Sequence, residues 1–261
     1  MENALVMLAA WLATPLGQYL LAREQEYFDQ TVADVFGFNA LQLGLPECDF
    51  LRTSRIPLRI RINREGQQHQ VADQIGVLRS DFRELPIASS SADLVVLPHI
   101  LEFCEDPHQI LREVARILVP EGQILVSGFN PWSLWGLRRP LRPTPGDSPW
   151  CGRFINLPRL KDWLALLEFE VAAGKMCCYA PPITQEKWLS KFQFMEAAGD
   201  RWWPIAGGVY FVQAVKRVRG MRLIMPKWKE RRAAQRQLAV VPQKLAKGGA
   251  EDASAPTMSD V

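Results

Sequence analysis

The stretch from Ala92 to Phe129 constrains the fold more than any other part of this chain. Ala92-Asp93-Leu94-Val95-Val96-Leu97 is a continuous apolar run, the pattern of a strand buried on both faces. Asp106 then stands where an N-cap belongs and Pro107 at the first helical position, and Gln109 completes a capping-box-like pattern. Ile110, Leu111, Val114 and Leu118 fall on one face of the helix that follows. Pro120-Glu121-Gly122 is expected to turn the chain into a second apolar strand, Gln123 to Phe129. A strand, a crossover helix and a strand in immediate succession imply a parallel pair with a right-handed connection.

Periodicity extends this unit in both directions. Further strands are expected at Ala40–Gly44, Arg55–Asn63, Gly76–Phe82, Phe169–Cys178 and Gly208–Val218. Arg55–Asn63 alternates, with Ile56, Leu58, Ile60 and Ile62 on one face and arginines on the other. It reads as half-buried, and Pro57 marks an edge or an irregular start. Residues 1–38 read as helical. Asn156 caps a helix burying Leu160, Trp163, Leu164 and Leu167, and Thr184 caps another, carrying Trp188, Leu189, Phe192 and Met195 and closed by Gly199. Residues 130–153, with five prolines, read as a loop. The expected fold is α/β: a Rossmann-like, mainly parallel seven-stranded sheet with helices on both faces and an N-terminal helical extension. The expected division is the extension at 1–38, the α/β domain at 39–225 and a basic, disordered tail at 226–261. Such a sheet binds ligands beyond the carboxyl ends of its strands, where the strand order switches.

Composition narrows the classes. The five cysteines include no C-x-x-C pair, and Cys177 and Cys178 are adjacent. That argues against a disulfide framework or a zinc ribbon and for a reducing, cytoplasmic compartment. The Leu- and Ala-rich segment Ala4–Ala22 follows Glu2 rather than a basic residue and is interrupted by Thr14, Pro15, Gly17, Gln18 and Tyr19. It reads as packed helices rather than a signal or a membrane span. The net charge of +3 is uneven: residues 216–261 hold eleven Lys or Arg against four acids, so the body is net acidic. A basic groove for nucleic acid in the body is not supported, although the tail could touch RNA or anionic membrane. No cluster has metal-ligand spacing, and no nucleophile sits in an activated elbow.

Four strand ends then matter: the segments beginning at Leu43-Gly44, Ser80-Asp81-Phe82, Leu97-Pro98-His99 and Gly128-Phe129-Asn130. The ordered series Asp81-x-x-x-Leu85-Pro86, Asp93-Leu94-Val95-Val96, Leu101-Glu102, Asp106-Pro107 and Leu111-x-Glu113-x-x-Arg116-x-Leu118-x-Pro120-x-Gly122 resembles the type 11 S-adenosylmethionine-dependent methyltransferases of class I. The resemblance covers roughly residues 38–130. The continuation Phe129-Asn130-Pro131-Trp132-Ser133-Leu134-Trp135-Gly136, and later Gly199-Asp200-Arg201-Trp202-Trp203-Pro204, resembles a bacterial subgroup of that family.

The resemblance implies S-adenosylmethionine as cofactor and assigns residues to it. Gly44 would let the backbone approach the cofactor, or is an ordinary strand-ending glycine. The family's later loop glycines are replaced here by Pro46 and Cys48. Asn63 or Glu65 stands near the place of the acid that receives the ribose hydroxyls. Asp81 would accept from the adenine amine with Phe82 flanking the ring. Pro98 and His99 would floor the pocket, His99 being a general base, a substrate contact or a packed histidine. Asn130, Trp132 and Trp135 are substrate-side candidates. Asn130-Pro131-Trp132 is similar to the motif of amino-methyltransferases acting on nucleic acid, but it follows the fifth strand rather than the fourth. The implied activity is methyl transfer to a small or lipid-like acceptor. A non-catalytic binding or scaffold protein that has lost its cofactor is the alternative, and an RNA methyltransferase using the tail is a third.

Overall fold

A computed structural model describes residues 2–63, 76–141, 149–182, 194–203 and 205–218. The helix expected from Thr184 as far as residue 193, Glu65 and the tail beyond residue 218 lie outside these. One compact unit spans Met1–Val218.

The chain opens with helices α1 (Glu2–Leu12) and α2 (Pro15–Ala33). Thr14 caps α2, its hydroxyl accepting from the Gly17 amide at 3.2 Å, and Pro15 occupies the first position, where no amide partner is missed. Leu16, Leu20, Phe28 and Val32 of α2 are buried in the same core cluster as the central strands. Among the described residues no single helix is long and apolar enough to cross a membrane; Leu5–Leu12 and Pro15–Ala33 reach that measure only as a pair bent by 95°.

The strands are β1 (Asn39–Leu43), β2 (Leu58–Asn63), β3 (Gly76–Arg79), β4 (Ala92–Pro98), β5 (Leu118–Phe129), β6 (Phe169–Cys177) and β7 (Val209–Lys216). They form one seven-stranded sheet in the order β3-β2-β1-β4-β5-β7-β6. β1 to β5 run parallel, and β7 is antiparallel to both β5 and β6. The order reverses between β1 and β4, so the crevice for a ligand lies beyond Leu43 and Pro98. Helix α3 (Pro107–Ile117) crosses from β4 to β5 and buries Ile110, Leu111, Val114 and Ile117. The Asp106 carboxylate caps it through the Gln109 amide at 3.0 Å.

Several expectations are corrected. Pro120-Glu121-Gly122 is not a turn between elements: β5 already begins at Leu118, and the register slips between Ala92 and Leu94 while Glu121 adopts φ 65°, the signature of an irregularity within a strand. β2 is an internal strand covered on both sides at its end, so Arg61 and Asn63 are buried while Leu58 is half-exposed. The proline-rich loop contains helix α4 (Leu134–Leu141). Helix α5 (Leu157–Leu166) is capped by Asn156 as expected. Helix α6 (Phe194–Trp202) runs past Gly199. Gly199 serves packing instead: a Cβ there would lie 2.2 Å from the Tyr179 ring.

Candidate active site

The carboxyl edge of the sheet is built by tight turns. Gly44 ends β1 at φ 74°, a conformation that costs a residue with a Cβ more than it costs glycine. The loop behind it is pinned by one buried side chain. Gln42 Nε2 donates to the carbonyls of Gly44, Leu45 and Cys48, and its Oε1 accepts from the Phe50 amide at 3.0 Å. Arg61 Nη1 adds a 2.8 Å bond to the Pro46 carbonyl. Leu45, Cys48 and Phe50 are buried. The space a glycine leaves open is taken by Ile100, whose Cδ1 stands 2.2 Å from where a Cβ on Gly44 would lie. Backbone approach at Gly44 therefore meets the terminal methyl of a flexible side chain.

At the end of β2, Asn63 is buried and, among the described residues, its Oδ1 has no hydrogen-bond partner. A buried amide oxygen without a donor is costly, and it marks the place where a hydroxyl could bind. At the end of β3, Asp81 accepts from the Arg83 amide at 3.0 Å and from its guanidinium at 2.6 Å. Phe82 is buried beneath it. Asp81, Phe82, Cys104, Glu105, Asp106 and Ile110 line a small recess.

The end of β4 holds an unexpected group. Pro98 is buried, and His99 turns left-handed at φ 53° to start a 3-10 turn at Ile100–Glu102. Its imidazole is wholly buried, with Nδ1 2.8 Å from Glu102 Oε2 and Nε2 2.7 Å from Glu24 Oε1 of α2. Phe129 stacks on the ring at 4.2 Å, and the Phe129 amide donates to Glu102 Oε1 at 2.5 Å. Burial disfavours the imidazolium, but the Glu24 charge and the bonds to both carboxylates outweigh it and raise the His99 pKa to about 10. Glu102 is itself pushed up by burial, against the pull of His99. At neutral pH His99 is thus a proton holder rather than a proton acceptor, which speaks against a general-base role. Among the described residues the second Glu24 oxygen has no hydrogen-bond partner.

Beyond β5 the substrate-side candidates separate. Asn130 is buried, its Nδ2 donating to the carbonyls of Ile205 and Gly207 and its Oδ1 accepting from the Trp132 amide. Trp135 is buried, its Nε1 donating to the Ala180 carbonyl at 2.8 Å. Both brace the loop through these bonds. Trp132, by contrast, is 80% exposed. It lines an open cavity of about 470 Å³ with His108, Arg153, Phe154, Arg159 and Trp163, floored by Leu101 and Cys104. Burial pushes the Cys104 thiol up to about 12, so it is no nucleophile at neutral pH.

The structure therefore gathers Gly44, Asn63, Asp81, Phe82, Pro98 and His99 along one edge and sets Trp132, of the three substrate-side candidates, against the open cavity. The sequence reading missed Gln42, Ile100, Glu102 and Glu24. Glu24 did leave a signal: it interrupts the buried series Leu16, Leu20, Phe28, Val32 at its helical place. The bonds of Gln42 join residues through a turn, which no periodicity reveals.

Residues 56–126 match the family profile described as Methyltransferase domain. The uncharacterized protein YafS of Escherichia coli (strain K12) is 32% identical over 162 residues, 62% of this chain and 65% of that one. The chain thus spans just under two thirds of that relative's length. A malonyl-acyl-carrier-protein O-methyltransferase of Methylovorus sp. (strain MP688) is 32% identical over 90 residues, 34% of this chain and 30% of its own. Among solved structures, a methyltransferase in complex with the Haloferax volcanii Trm112 methyltransferase activator superposes with a TM-score of 0.58 at 18% identity, covering 81% of this chain and 98% of that one. That likeness shows the fold. Residues 56–126 are thus similar to a methyltransferase domain, and the chain has the Rossmann-like fold, a mainly parallel seven-stranded sheet with helices packed on it.

Proposed function

We propose that the protein transfers a methyl group from S-adenosylmethionine to a small or lipid-like acceptor. The observation that carries this is the unpartnered, buried Oδ1 of Asn63 at the end of β2, next to Asp81 and Phe82 at the end of β3. These residues fit the adenosine end of the cofactor. Asn63 would accept from a ribose hydroxyl, Asp81 from the adenine amine, and Phe82 would back the ring. At Gly44 the fit requires the terminal methyl of Ile100 to turn aside.

Bound there, the cofactor supplies an electrophilic methyl carbon attached to a sulfonium. Held by Asn63, Asp81 and Phe82, it would offer that carbon to an acceptor lone pair, with its own carbon–sulfur pair left on sulfur. The protein's task is chiefly alignment. Trp132 and the open cavity stand on the acceptor side. His99, held as an imidazolium, takes no proton from the acceptor and instead fixes the floor between α2 and β4. An acceptor that must lose a proton does so to solvent or to another group.

A second reading, a binding module without catalysis, is favoured by Ile100 filling the Gly44 cradle and by the packed loop of Leu45, Cys48 and Phe50. Titration with S-adenosylhomocysteine separates the two. Under the first reading it binds, and Asn63→Asp tightens it, because a carboxylate accepts from both ribose hydroxyls. Under the second, neither protein binds it.

A further inference from the structure

The open cavity beyond β4 and β5 carries an inference about the acceptor, and it rests on the methyl-transfer reading above. Its walls are aromatic. Trp163 is flanked by His108, with ring centroids 4.1 Å apart, and by the Arg159 guanidinium 5.2 Å from its ring. Trp132 faces the same cavity, 80% exposed, and its backbone N–H donates to Asn130 Oδ1 at 3.0 Å. Phe154 stacks on Phe129 at 5.1 Å and so extends the stack from His99 into the cavity.

Its cations are unmatched. Arg153 is anchored by its backbone amide to the Glu102 carbonyl at 2.8 Å. Among the described residues neither Arg153 nor Arg159 has a carboxylate partner. The acids on the rim are already engaged: Asp106 caps α3, and Glu105 lies 4.0 Å from Arg83. Cys104, Glu105 and Asp106 line both this cavity and the recess at Asp81 and Phe82, so the two cavities adjoin.

Two guanidinium groups without a carboxylate partner among the described residues, that of Arg159 over the Trp163 ring, suit one kind of ligand: a planar or apolar body bearing a carboxylate or phosphate. The body stacks on the rings, and the anion is received by planar donor forks. We propose that this cavity is the acceptor site, and that the acceptor is an anion with an aromatic or otherwise flat apolar body, read by Arg153 and Arg159 and stacked against Trp132 and Trp163.

The test uses naphthalene-2-carboxylate and its uncharged amide as probes, titrated into the full-length protein by ligand-observed nuclear magnetic resonance. The acid is expected to bind about tenfold tighter than the amide. That preference should vanish in the double variant Arg153→Gln, Arg159→Gln. Trp132→Ala, at an exposed position, should weaken acid and amide alike. Equal binding of acid and amide, or a preference that survives the double variant, overturns the inference. S-adenosylmethionine is titrated separately into the same proteins. Binding unchanged by the arginine substitutions, together with a lost acid preference, supports the acceptor site. Binding of the cofactor with no acid preference removes the inference and leaves the methyl-transfer reading standing. An acid preference without cofactor binding removes the methyl-transfer reading and with it the role of acceptor site.

Discussion

Glu24 Oε1 lies 2.7 Å from His99 Nε2, and neither side chain is exposed to solvent. This contact ties the N-terminal helix α2 to the carboxyl end of β4, the place where the sheet's ligand crevice opens. Removing one partner of a buried ionic contact leaves the other without compensation, so Glu24→Ala is expected to cost about 3–5 kcal/mol. Chemical denaturation checks this. Glu24→Gln, which keeps the shape and can still hydrogen-bond, should cost less than Glu24→Ala.

The same contact sets a pH dependence. The His99 pKa is raised from 6.5 to about 10, so its stabilisation is complete below about pH 6.5 and is lost as the pH rises toward 10. The Glu102 pKa is also raised. A raised carboxyl likewise makes stability fall as the pH rises, starting from the ordinary carboxylate range, so the two effects have the same sign. Thermal melts of the protein should therefore decline between pH 6.5 and 10, and Glu24→Gln should flatten that decline by removing the leading charge that holds the proton. A melt curve equally steep in the variant would show that His99 is not the group responsible.

Ile100 and Gly44 offer a direct way to ask whether the cradle is plugged. Ile100→Val deletes the Cδ1 that stands over Gly44. It should cost about 0.5–1.5 kcal/mol of stability and strengthen S-adenosylmethionine binding by opening space at the glycine. Gly44→Ala should also cost stability but weaken that binding, because it adds a Cβ at φ 74° against Ile100. Paired melts and titrations of the two variants check both directions.

The tryptophans of the loop after β5 should behave differently. Trp135 is buried and hydrogen-bonded to Ala180, so Trp135→Ala is expected to cost about 3–5 kcal/mol. Trp132 is exposed, and its alanine variant should stay within about 0.5 kcal/mol of the parent. Denaturant unfolding of the two proteins measures the contrast.

Much of the fold was legible because it rests on local pattern. Asp106-Pro107 marked the start of α3, the apolar run at Ala92–Leu97 marked β4, and Asn156 marked α5. The site was less legible because its bonds are made across the chain. Gly44, Asn63 and Asp81 stood at the strand ends where the resemblance placed them, yet what each of them touches was hidden. Ile100 reaches Gly44 through a left-handed turn at His99, and Glu24 reaches His99 from α2. Trp135 and Asn130 are substrate-side candidates by their place after β5, and the structure gives each a packing role: Trp135 of short helix α4 is buried on the Ala180 carbonyl, and the carbonyls of Ile205 and Gly207 take up Asn130. Arg153 and Arg159 drew no notice because unpaired arginines are common on surfaces; only the cavity sets them beside Trp132 and Trp163.

The most direct measurement is calorimetric titration of the full-length protein with S-adenosylmethionine, repeated on Asp81→Ala. Binding near micromolar, about −8 kcal/mol, weakened by the substitution, is the expected result and would fix the cofactor at the ends of β2 and β3. No heat at millimolar ligand, together with no shift in melting temperature, would contradict the methyltransferase account and leave the non-catalytic reading in its place.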